Sequence, residues 1–357
     1  MHLAQLTCEN FRGLTSIHFQ PTPGLNVLCG RNAQGKTSVL EAILYLATSK
    51  SHRTNTEKEL VQHGAEGFRL SACVQRNDRA VDVAATWWGG AKRFKVNGVA
   101  QTRVSDILGK VNVVLFSPED VALVKGAAGL RRRFLDMELS QLQPQYLNAL
   151  QQYRQVLRQR NQVLRERRPD SSLIAVWDTQ LAAHGATLMR ERGAFLEDLD
   201  ARARAAYRAI AAEENLNLVY QPDVKAAEPL EDLFRRTHAS DIRRGMTTRG
   251  PHLDDFEFII ADRPARSFAS QGQQKTAALA VKLAELELVK SRIGEYPILM
   301  LDEVLAELDE RRAEQLQAAI GPEAQCLLTT AHIDARTPLP LADGARFVIE
   351  GGRLEAQ

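Results

Sequence analysis

The stretch Gly30-Arg-Asn-Ala-Gln-Gly-Lys-Thr37 decides the fold, because it matches the phosphate-loop pattern G-x-x-x-x-G-K-[ST]. An apolar run at 25–29 predicts a strand before it, and apolar residues at helical spacing in 37–48 predict a helix after it. In this context backbone N–H groups surround a phosphate, Lys36 reaches the β- and γ-phosphates, and the Thr37 hydroxyl binds magnesium. The predicted nucleotide-binding residues of this loop are Gly30, Arg31, Asn32, Ala33, Gln34, Gly35, Lys36 and Thr37.

A second stretch, Pro297-Ile-Leu-Met-Leu-Asp-Glu303, predicts a buried strand that ends in two acids. In phosphate-loop proteins such a strand holds magnesium and orients the attacking water. We expect Asp302 to bind the ion, largely through water, and Glu303 to polarise the water. A further apolar strand leads to His332, for which a surface loop and a site role both remain open. The predicted catalytic residues are Lys36, Asp302 and Glu303, and the predicted metal ligands are Thr37 and Asp302.

A second anion-seeking helix start lies more than two hundred residues after the first. Ser270-Gln-Gly-Gln-Gln-Lys275 stands directly before a helical pattern at 277–289. The start of a helix carries unpaired N–H groups and a partial positive charge, so an anion is stabilised there. The sequence therefore contains two such positions and raises the question of why one protein needs both.

The texture of the sequence changes twice along the chain. The first part is rich in strands and turns, with a hairpin predicted between 68–74 and 81–87. From about residue 129 the apolar residues keep helical spacing, which predicts a helix of about 26 residues, roughly 39 Å long, and a second helix over 173–212. Strand texture resumes near 246. The predicted domains are 1–128 and 246–357, which form one discontinuous head, and 129–245, an inserted helical arm.

Composition excludes several classes of protein. The 357 residues carry a formal charge of +2, so any nucleic-acid surface must be a local patch. No apolar run approaches the length of a membrane-spanning helix, and the first residues lack the layout of a signal peptide. Four scattered cysteines, with no C-x-x-C pair, fit a reduced protein. We therefore expect a cytoplasmic protein without a membrane partner.

Arginine is concentrated between residues 131 and 168, which contain nine arginines, no lysine and three acids, a formal charge of +6. At 100° per residue, Arg154, Arg158 and Arg165 fall within about 40° of one another on a helix. Guanidinium groups bind phosphate through two hydrogen bonds, so this stripe could follow a DNA backbone. A solvated helix face rich in arginine is the alternative, and sequence alone divides the two evenly. The predicted DNA-binding residues are Arg154, Arg158 and Arg165.

Together these stretches resemble the ATP-binding-cassette (ABC) family of ATPases, because Ala269-Ser-Gln-Gly-Gln273 is similar to the family's signature, Leu-Ser-Gly-Gly-Gln. Lys36 and Ser270 are 234 residues apart, a separation that resembles the chromosome-maintenance and DNA-repair members. Along the whole chain the sequence is similar to the RecF family of bacterial recombination mediators. The stretches that carry this resemblance are Glu9-Asn-Phe-Arg-Gly13, Phe116-Ser-Pro-Glu-Asp120, Arg131-Arg-Arg-Phe-Leu-Asp136, Arg249-Gly-Pro-His-Leu-Asp-Asp255 and Ser270-Gln-Gly-Gln-Gln-Lys275.

The resemblance implies an α/β fold: an ABC-type phosphate-loop head, with a mixed sheet and an antiparallel subdomain, interrupted by a helical-hairpin arm. It implies ATP and Mg²⁺ as ligands and a head-to-tail homodimer, in which the signature of one chain faces the ATP of the other. Two positions depart from the family pattern, Ala33 in the loop and Gln271 in the signature. The additional nucleotide-binding residues that the resemblance implies are Ser270, Gly272, Gln273 and Arg12.

Membership of this family implies a function in recombinational DNA repair. ATP would dimerise the heads on gapped or junction DNA, slow hydrolysis would release them, and the partners RecR and RecO would help to load RecA. A transporter-coupled ABC ATPase is the alternative, and it would need a membrane partner. A structural clamp that uses ATP only to hold a dimer is a third possibility, against which Glu303 argues.

Overall fold

The computed structural model describes residues 1–54, 56–77, 79–211, 214–225, 229–320, 323–331 and 344–357. Packing divides the chain into two compact units. The head unit contains Met1–Asp120, Ala205–Ala212 and Ala278–Gln357, and the arm unit contains Val121–Arg204 and Glu213–Ala277. This division differs from the domain boundaries predicted at 129 and 246, because residues 246–277 pack with the arm unit.

Strands and helices follow one another in the order expected from the sequence texture. The strands are β1 (His2–Phe11), β2 (Leu14–Phe19), β3 (Leu25–Cys29), β4 (Gly67–Arg76), β5 (Arg79–Trp88), β6 (Ala91–Val96), β7 (Val99–Gln101), β8 (Val113–Phe116), β9 (Leu216–Gln221), β10 (Asp255–Ile260), β11 (Arg263–Pro264), β12 (Ile298–Asp302), β13 (Cys326–Thr330), β14 (Ala345–Glu350) and β15 (Arg353–Ala356). The α-helices are α1 (Lys36–Thr48), α2 (Val121–Lys125), α3 (Ala128–Leu142), α4 (Pro144–Leu164), α5 (Ser171–Ile210), α6 (Leu230–Arg244), α7 (Ala265–Phe268), α8 (Gln271–Ile293) and α9 (Glu310–Ala319). Among the described helices, none is both long and apolar enough to cross a membrane.

A mostly parallel sheet of the head unit determines where the site lies. Its order is β15-β14-β3-β13-β12-β8, and only β15 runs antiparallel to its neighbour. The register pairs Asp302 with Thr329 and Thr330 with Cys29, so β3, β13 and β12 end side by side. In open α/β sheets ligands bind at the carboxyl ends of the strands. The phosphate loop and the acidic strand end therefore meet at one edge.

The second sheet of the head unit is antiparallel, in the order β2-β1-β4-β5-β6-β7. The pairing of β4 with β5 confirms the predicted hairpin, although its strands are longer than expected. Helix α1 contacts strands of both head sheets, and every residue except Thr37 is buried. Its Tyr45 ring packs against Phe68 and Phe94 of the antiparallel sheet. The helix that follows the phosphate loop is thus fixed in the core of the head unit, which holds the loop in place.

The arm unit departs from the predicted helical hairpin in two respects. The single helix of about 26 residues is wrong. Residues 128–164 form α3 and the 21-residue α4, separated by Gln143 in an extended conformation. Pro144 begins the second helix, where its missing N–H costs nothing, whereas inside one long helix it would break a hydrogen bond. The 40-residue α5 agrees with the predicted second helix. A three-stranded sheet, β11-β10-β9, and helix α6 were not expected in this segment.

Buried ion pairs hold the elements of the arm unit together. The fully buried Arg160 of α4 donates to Asp178 of α5 at 2.6 Å, and to Asp241 of α6 and the Thr247 hydroxyl at 2.8 Å. Arg192 of α5 is also buried and bridges separate segments; its partners are Asp136, Tyr146, Pro251 and Asp254. Each of these charges loses its water shell, so its partners are essential once it is buried.

Replacing Arg160 with methionine should destabilise the arm unit strongly. Methionine fills much of the volume but leaves the fully buried Asp241 without its cation, so we expect a loss of about 3–5 kcal/mol. The matched control is Arg190→Met, which breaks an exposed pair with Glu191 and should cost less than about 1 kcal/mol. Urea unfolding followed by helical circular dichroism measures both. Equal midpoints for the two variants would contradict the role assigned to Arg160.

Candidate nucleotide-binding site

The phosphate loop joins β3 to α1, as its flanking patterns predict. Two glycines are required by close packing. A Cβ at Gly30 would lie 2.4 Å from the Ile349 carbonyl oxygen, and one at Gly35, where φ is 110°, would lie 2.7 Å from a methyl group of Leu14. Ala33 has φ 65°, a region in which glycine is unstrained and alanine costs roughly 1 kcal/mol. The small side chain thus keeps the loop backbone at a modest cost.

Lys36 is directed into the loop from the first turn of α1. Its ammonium group donates to the carbonyl oxygens of Gly30 at 2.7 Å and Arg31 at 3.2 Å, and it lies 3.1 Å from a carboxylate oxygen of Glu303. Only 3% of the side chain is exposed. A buried ammonium held by weak neutral acceptors and one carboxylate can readily exchange partners with an incoming phosphate. The geometry is therefore compatible with the predicted contact to the β- and γ-phosphates.

Asp302 is at the centre of a hydrogen-bond group formed by three elements. Its Oδ1 accepts from the Thr37 hydroxyl of α1 at 2.9 Å and from the Thr329 hydroxyl of β13 at 2.7 Å. The Thr329 hydroxyl oxygen also accepts from the backbone N–H of Glu303 at 2.9 Å. Glu303 adopts a left-handed conformation, φ 54°, and its side chain is 41% exposed. The structure thus brings Lys36, Thr37, Asp302 and Glu303 together, as the sequence predicts.

Thr329 was missed by the sequence analysis. Its position opposite Asp302 follows from the parallel register of β12 and β13, which motif spacing alone does not provide. His332, for which two alternatives were open, lies outside the described residues.

The oxygen ligands of this group fit magnesium. Mg²⁺ prefers octahedral oxygen coordination and usually keeps several waters, with one or two protein ligands and substrate phosphates completing the shell. The Thr37 hydroxyl and the Asp302 carboxylate are such ligands, and they are hydrogen-bonded to each other. Within the described residues no cluster of three or more His, Cys, Asp or Glu side chains could hold a metal by itself. A magnesium ion here would therefore depend on phosphate and water for most of its shell.

The predicted signature begins helix α8 with a reciprocal capping arrangement. The Ser270 hydroxyl accepts from the backbone N–H of Gln273 at 3.2 Å, and the Gln273 side chain accepts from the Ser270 N–H at 2.8 Å. This is the Ser-x-x-Gln capping box, which satisfies N–H groups at the start of a helix. Ser270, Gln271 and Gly272 are exposed. Gln271, the departure from the family pattern, is the first residue of the helix and causes no break in it.

The signature residues lie in the arm unit, whereas the phosphate loop and the acidic strand end lie in the head unit. The capping box alone explains why serine and glutamine occur at positions 270 and 273. It does not explain the exposed Gly272, which provides room for close approach of a ligand. A role of this helix start toward a nucleotide stays a prediction.

Arg12 is held by protein partners. Its Nε and Nη2 donate to the two carboxylate oxygens of the fully buried Glu41, at 3.0 and 2.7 Å, and Nη1 donates to the Glu59 carbonyl at 2.9 Å. Burial alone would raise the pKa of Glu41, but hydrogen bonds from Arg12 and Ser51 outweigh it and lower that pKa below its ordinary value. The guanidinium thus has a structural role, and its predicted contact with nucleotide stays a prediction.

The three arginines predicted to bind DNA lie on α4 or at its end, and all are exposed. Arg154 is 45% exposed and donates to Asp136 at 2.7 Å, whereas Arg165 makes a longer bond, 3.3 Å, to the Gly245 carbonyl. Not every arginine of the segment is available in this way. Arg131 and Arg160 are buried in ion pairs, so the formal charge of the segment overstates its surface charge. The exposed stripe therefore remains the candidate surface, with Arg154 partly neutralised.

The chain is similar to known proteins over its whole length. The family model described as the RecF/RecN/SMC N terminal domain matches residues 2–335. The DNA replication and repair protein RecF of Halalkalibacterium halodurans is 39% identical, with 99% of each chain covered. That of Pediococcus pentosaceus is 38% identical, with 99% of this chain and 98% of the relative covered.

Solved structures agree with the sequence comparison. A structure of the recombination mediator protein RecF with ATP, from the RecFOR pathway, is 31% identical with a TM-score of 0.93 and covers 100% of this chain and 97% of that one. The Smc head domain from Pyrococcus furiosus, 14% identical with a TM-score of 0.59, covers 100% of this chain and 96% of that one and shares the fold alone. The predicted ABC-type ATPase fold is thereby confirmed, and the chain belongs to the RecF family of DNA replication and repair proteins.

Proposed function

We propose that this chain is an ATPase of recombinational DNA repair that dimerises head to tail on DNA when it binds ATP. The observation that carries the proposal is the group at the edge of the parallel sheet. An ammonium, a hydroxyl and two carboxylates, from Lys36, Thr37, Asp302 and Glu303, lie within hydrogen-bond reach of one another around a glycine loop. These groups are the ones that phosphoryl transfer to water requires.

Each residue has a distinct role in the proposed hydrolysis. Lys36 and the loop N–H groups stabilise the negative charge of the β- and γ-phosphates. Thr37 and Asp302 hold Mg²⁺, which neutralises charge as the γ-phosphoryl group leaves. Glu303 accepts a proton from the attacking water as the new oxygen–phosphorus bond forms and the bond to the bridging oxygen breaks. Because Lys36 contacts Glu303 in the structure, arrival of a phosphate would free that carboxylate to meet water.

The second helix start supports the dimer. Ser270 and Gly272 are exposed at the beginning of the 23-residue helix α8, where the helix dipole favours an anion. In a symmetric head-to-tail pair, the signature of each chain would cover the ATP held by the other. One protein then needs two phosphate-seeking helix starts because each nucleotide is bound between two chains.

The proposed setting follows from the relatives. They are named as DNA replication and repair proteins, and a solved relative is placed in the RecFOR pathway. We infer that this chain acts on gapped and junction DNA in the cytoplasm, that slow, DNA-stimulated hydrolysis releases it, and that RecR and RecO are its partners in loading RecA. The exposed arginines of α4 would contact the DNA backbone without reading sequence.

Glu303→Gln should trap the ATP-bound dimer. Glutamine keeps the size of the side chain but does not accept a proton, so we expect ATP affinity within about threefold of the unaltered protein and turnover lower by about 100-fold or more. Single-turnover hydrolysis and size-exclusion chromatography with ATP measure the two effects. Lys36→Ala is the contrasting variant, because it should lose ATP affinity and the dimer together. Normal turnover in Glu303→Gln would exclude Glu303 as the base.

Mixing two inactive variants tests the head-to-tail arrangement. Ser270→Arg should bind ATP normally, because the loop and Asp302 are intact, but it should not dimerise or hydrolyse ATP. Lys36→Ala fails for the opposite reason. In a mixed dimer one site has both defects and the other has neither, so an equimolar mixture should regain about a quarter of the unaltered turnover. No recovery at any mixing ratio would mean that the signature acts within its own chain.

Changing Arg154, Arg158 and Arg165 together to alanine should weaken DNA binding and flatten its salt dependence. Each lost phosphate contact reduces the slope of log affinity against log salt by about 0.9, so a reduction of up to about 2.7 is expected. The triple lysine variant is the control, since it keeps the charge and should keep the slope. Fluorescence anisotropy with gapped duplex at several salt concentrations measures both. If the alanine variant retained the full slope, the stripe would be an ordinary solvated face.

A further inference from the structure

The segment after α1 is fixed by a buried carboxylate. The Ser51 hydroxyl donates to Glu41 at 2.5 Å, and the same oxygen accepts from the backbone N–H groups of Arg53 at 2.9 Å and Thr54 at 3.1 Å. Ser51 is itself buried. His52 lies between these anchored residues, so its backbone position is determined by Glu41.

The same helix places this segment beside the catalytic group. Glu41 and Thr37 are four residues apart, which puts them about one turn, or 5.4 Å, apart on one face of α1. Thr37 donates to Asp302, and Glu41 accepts from Ser51. Strand β8, which runs parallel to β12, ends one residue before the turn that contains Glu119, so this turn lies at the same edge. His52 is thus placed near the strand ends that present Asp302 and Glu119.

His52 carries an orphaned polar atom. Its Nδ1 is buried, and within the described residues it has no hydrogen-bond partner. Buried polar atoms in native proteins almost always have a partner, from the protein or from ordered water. Burial lowers the pKa of His52, and the carboxylates of Glu41, Glu119 and Asp302 only partly offset this. The imidazole is therefore neutral near pH 7, with one donor nitrogen and one acceptor nitrogen.

We propose that His52 is a positioning residue for ATP hydrolysis, whose Nδ1 accepts a hydrogen bond from a water molecule that also donates to Asp302. The proposal rests on the ATPase function proposed above. The water links the imidazole to the carboxylate and fixes the orientation of Asp302 between the Thr37 and Thr329 hydroxyls. His52 acts through Asp302 and does not touch the phosphates, so its loss should reduce turnover and leave ATP binding nearly unchanged.

Two variants of similar size separate positioning from packing. His52→Leu removes both ring nitrogens, and we expect turnover to fall about 10- to 100-fold, the usual effect of removing a group that orients a ligand. His52→Asn places a polar atom near the position of Nδ1 and should recover most of that loss. ATP affinity, measured by calorimetry, should stay within about threefold in both. His63→Leu is the control, since His63 is an exposed histidine of the same unit.

The outcomes distinguish this proposal from the function on which it rests. Recovery by asparagine with unchanged ATP affinity supports positioning through Nδ1. Equal losses of turnover in both variants, a parallel loss of ATP affinity, or normal turnover in His52→Leu would each overturn it, and hydrolysis by the unaltered protein would leave the ATPase function intact. No hydrolysis by the unaltered protein, with or without DNA, would overturn both.

Discussion

The hydrogen bond between the Thr37 hydroxyl and the Asp302 carboxylate joins residues 265 positions apart, and the rest of the site depends on it. It requires β3 and β12 to end at the same edge of one sheet, although the whole arm unit is inserted between them. It also requires the first turn of α1 to face the acidic strand end, which the burial of that helix between two sheets enforces. The insertion is tolerated because it begins and ends away from this edge.

Sequence patterns predicted the elements that carry chemistry well, because a phosphate loop and an acidic strand end have strict local requirements. The strand, the glycine positions and the helix around Lys36 follow from residue types that are few and close together. The arm was predicted less well. Its helical stripe continues across Pro144, so spacing alone suggested one helix where the backbone forms two. The strands β9 and β10 pair across 33 residues or more, which periodicity does not detect.

Charge was the least predictable property. The arginine-rich segment reads as one basic surface, yet Arg131 and Arg160 are buried with aspartates from distant parts of the chain. Arg12, predicted for nucleotide, is bound by Glu41 and a backbone carbonyl. Whether an arginine faces solvent or an interior carboxylate depends on long-range packing, which a single sequence does not show. The exposed signature and the exposed stripe of α4 are the surfaces that remain for a second chain and for DNA.

The central claim is that ATP joins two copies of this chain. The most direct test is the mass of the unaltered protein in solution by light scattering, with no nucleotide, with ATP and magnesium, and with DNA added. The account predicts the mass of one chain without nucleotide, twice that mass with ATP, and a dimer that persists longer on DNA until hydrolysis releases it. A mass of one chain at saturating ATP, or a dimer that forms equally without ATP, would contradict it.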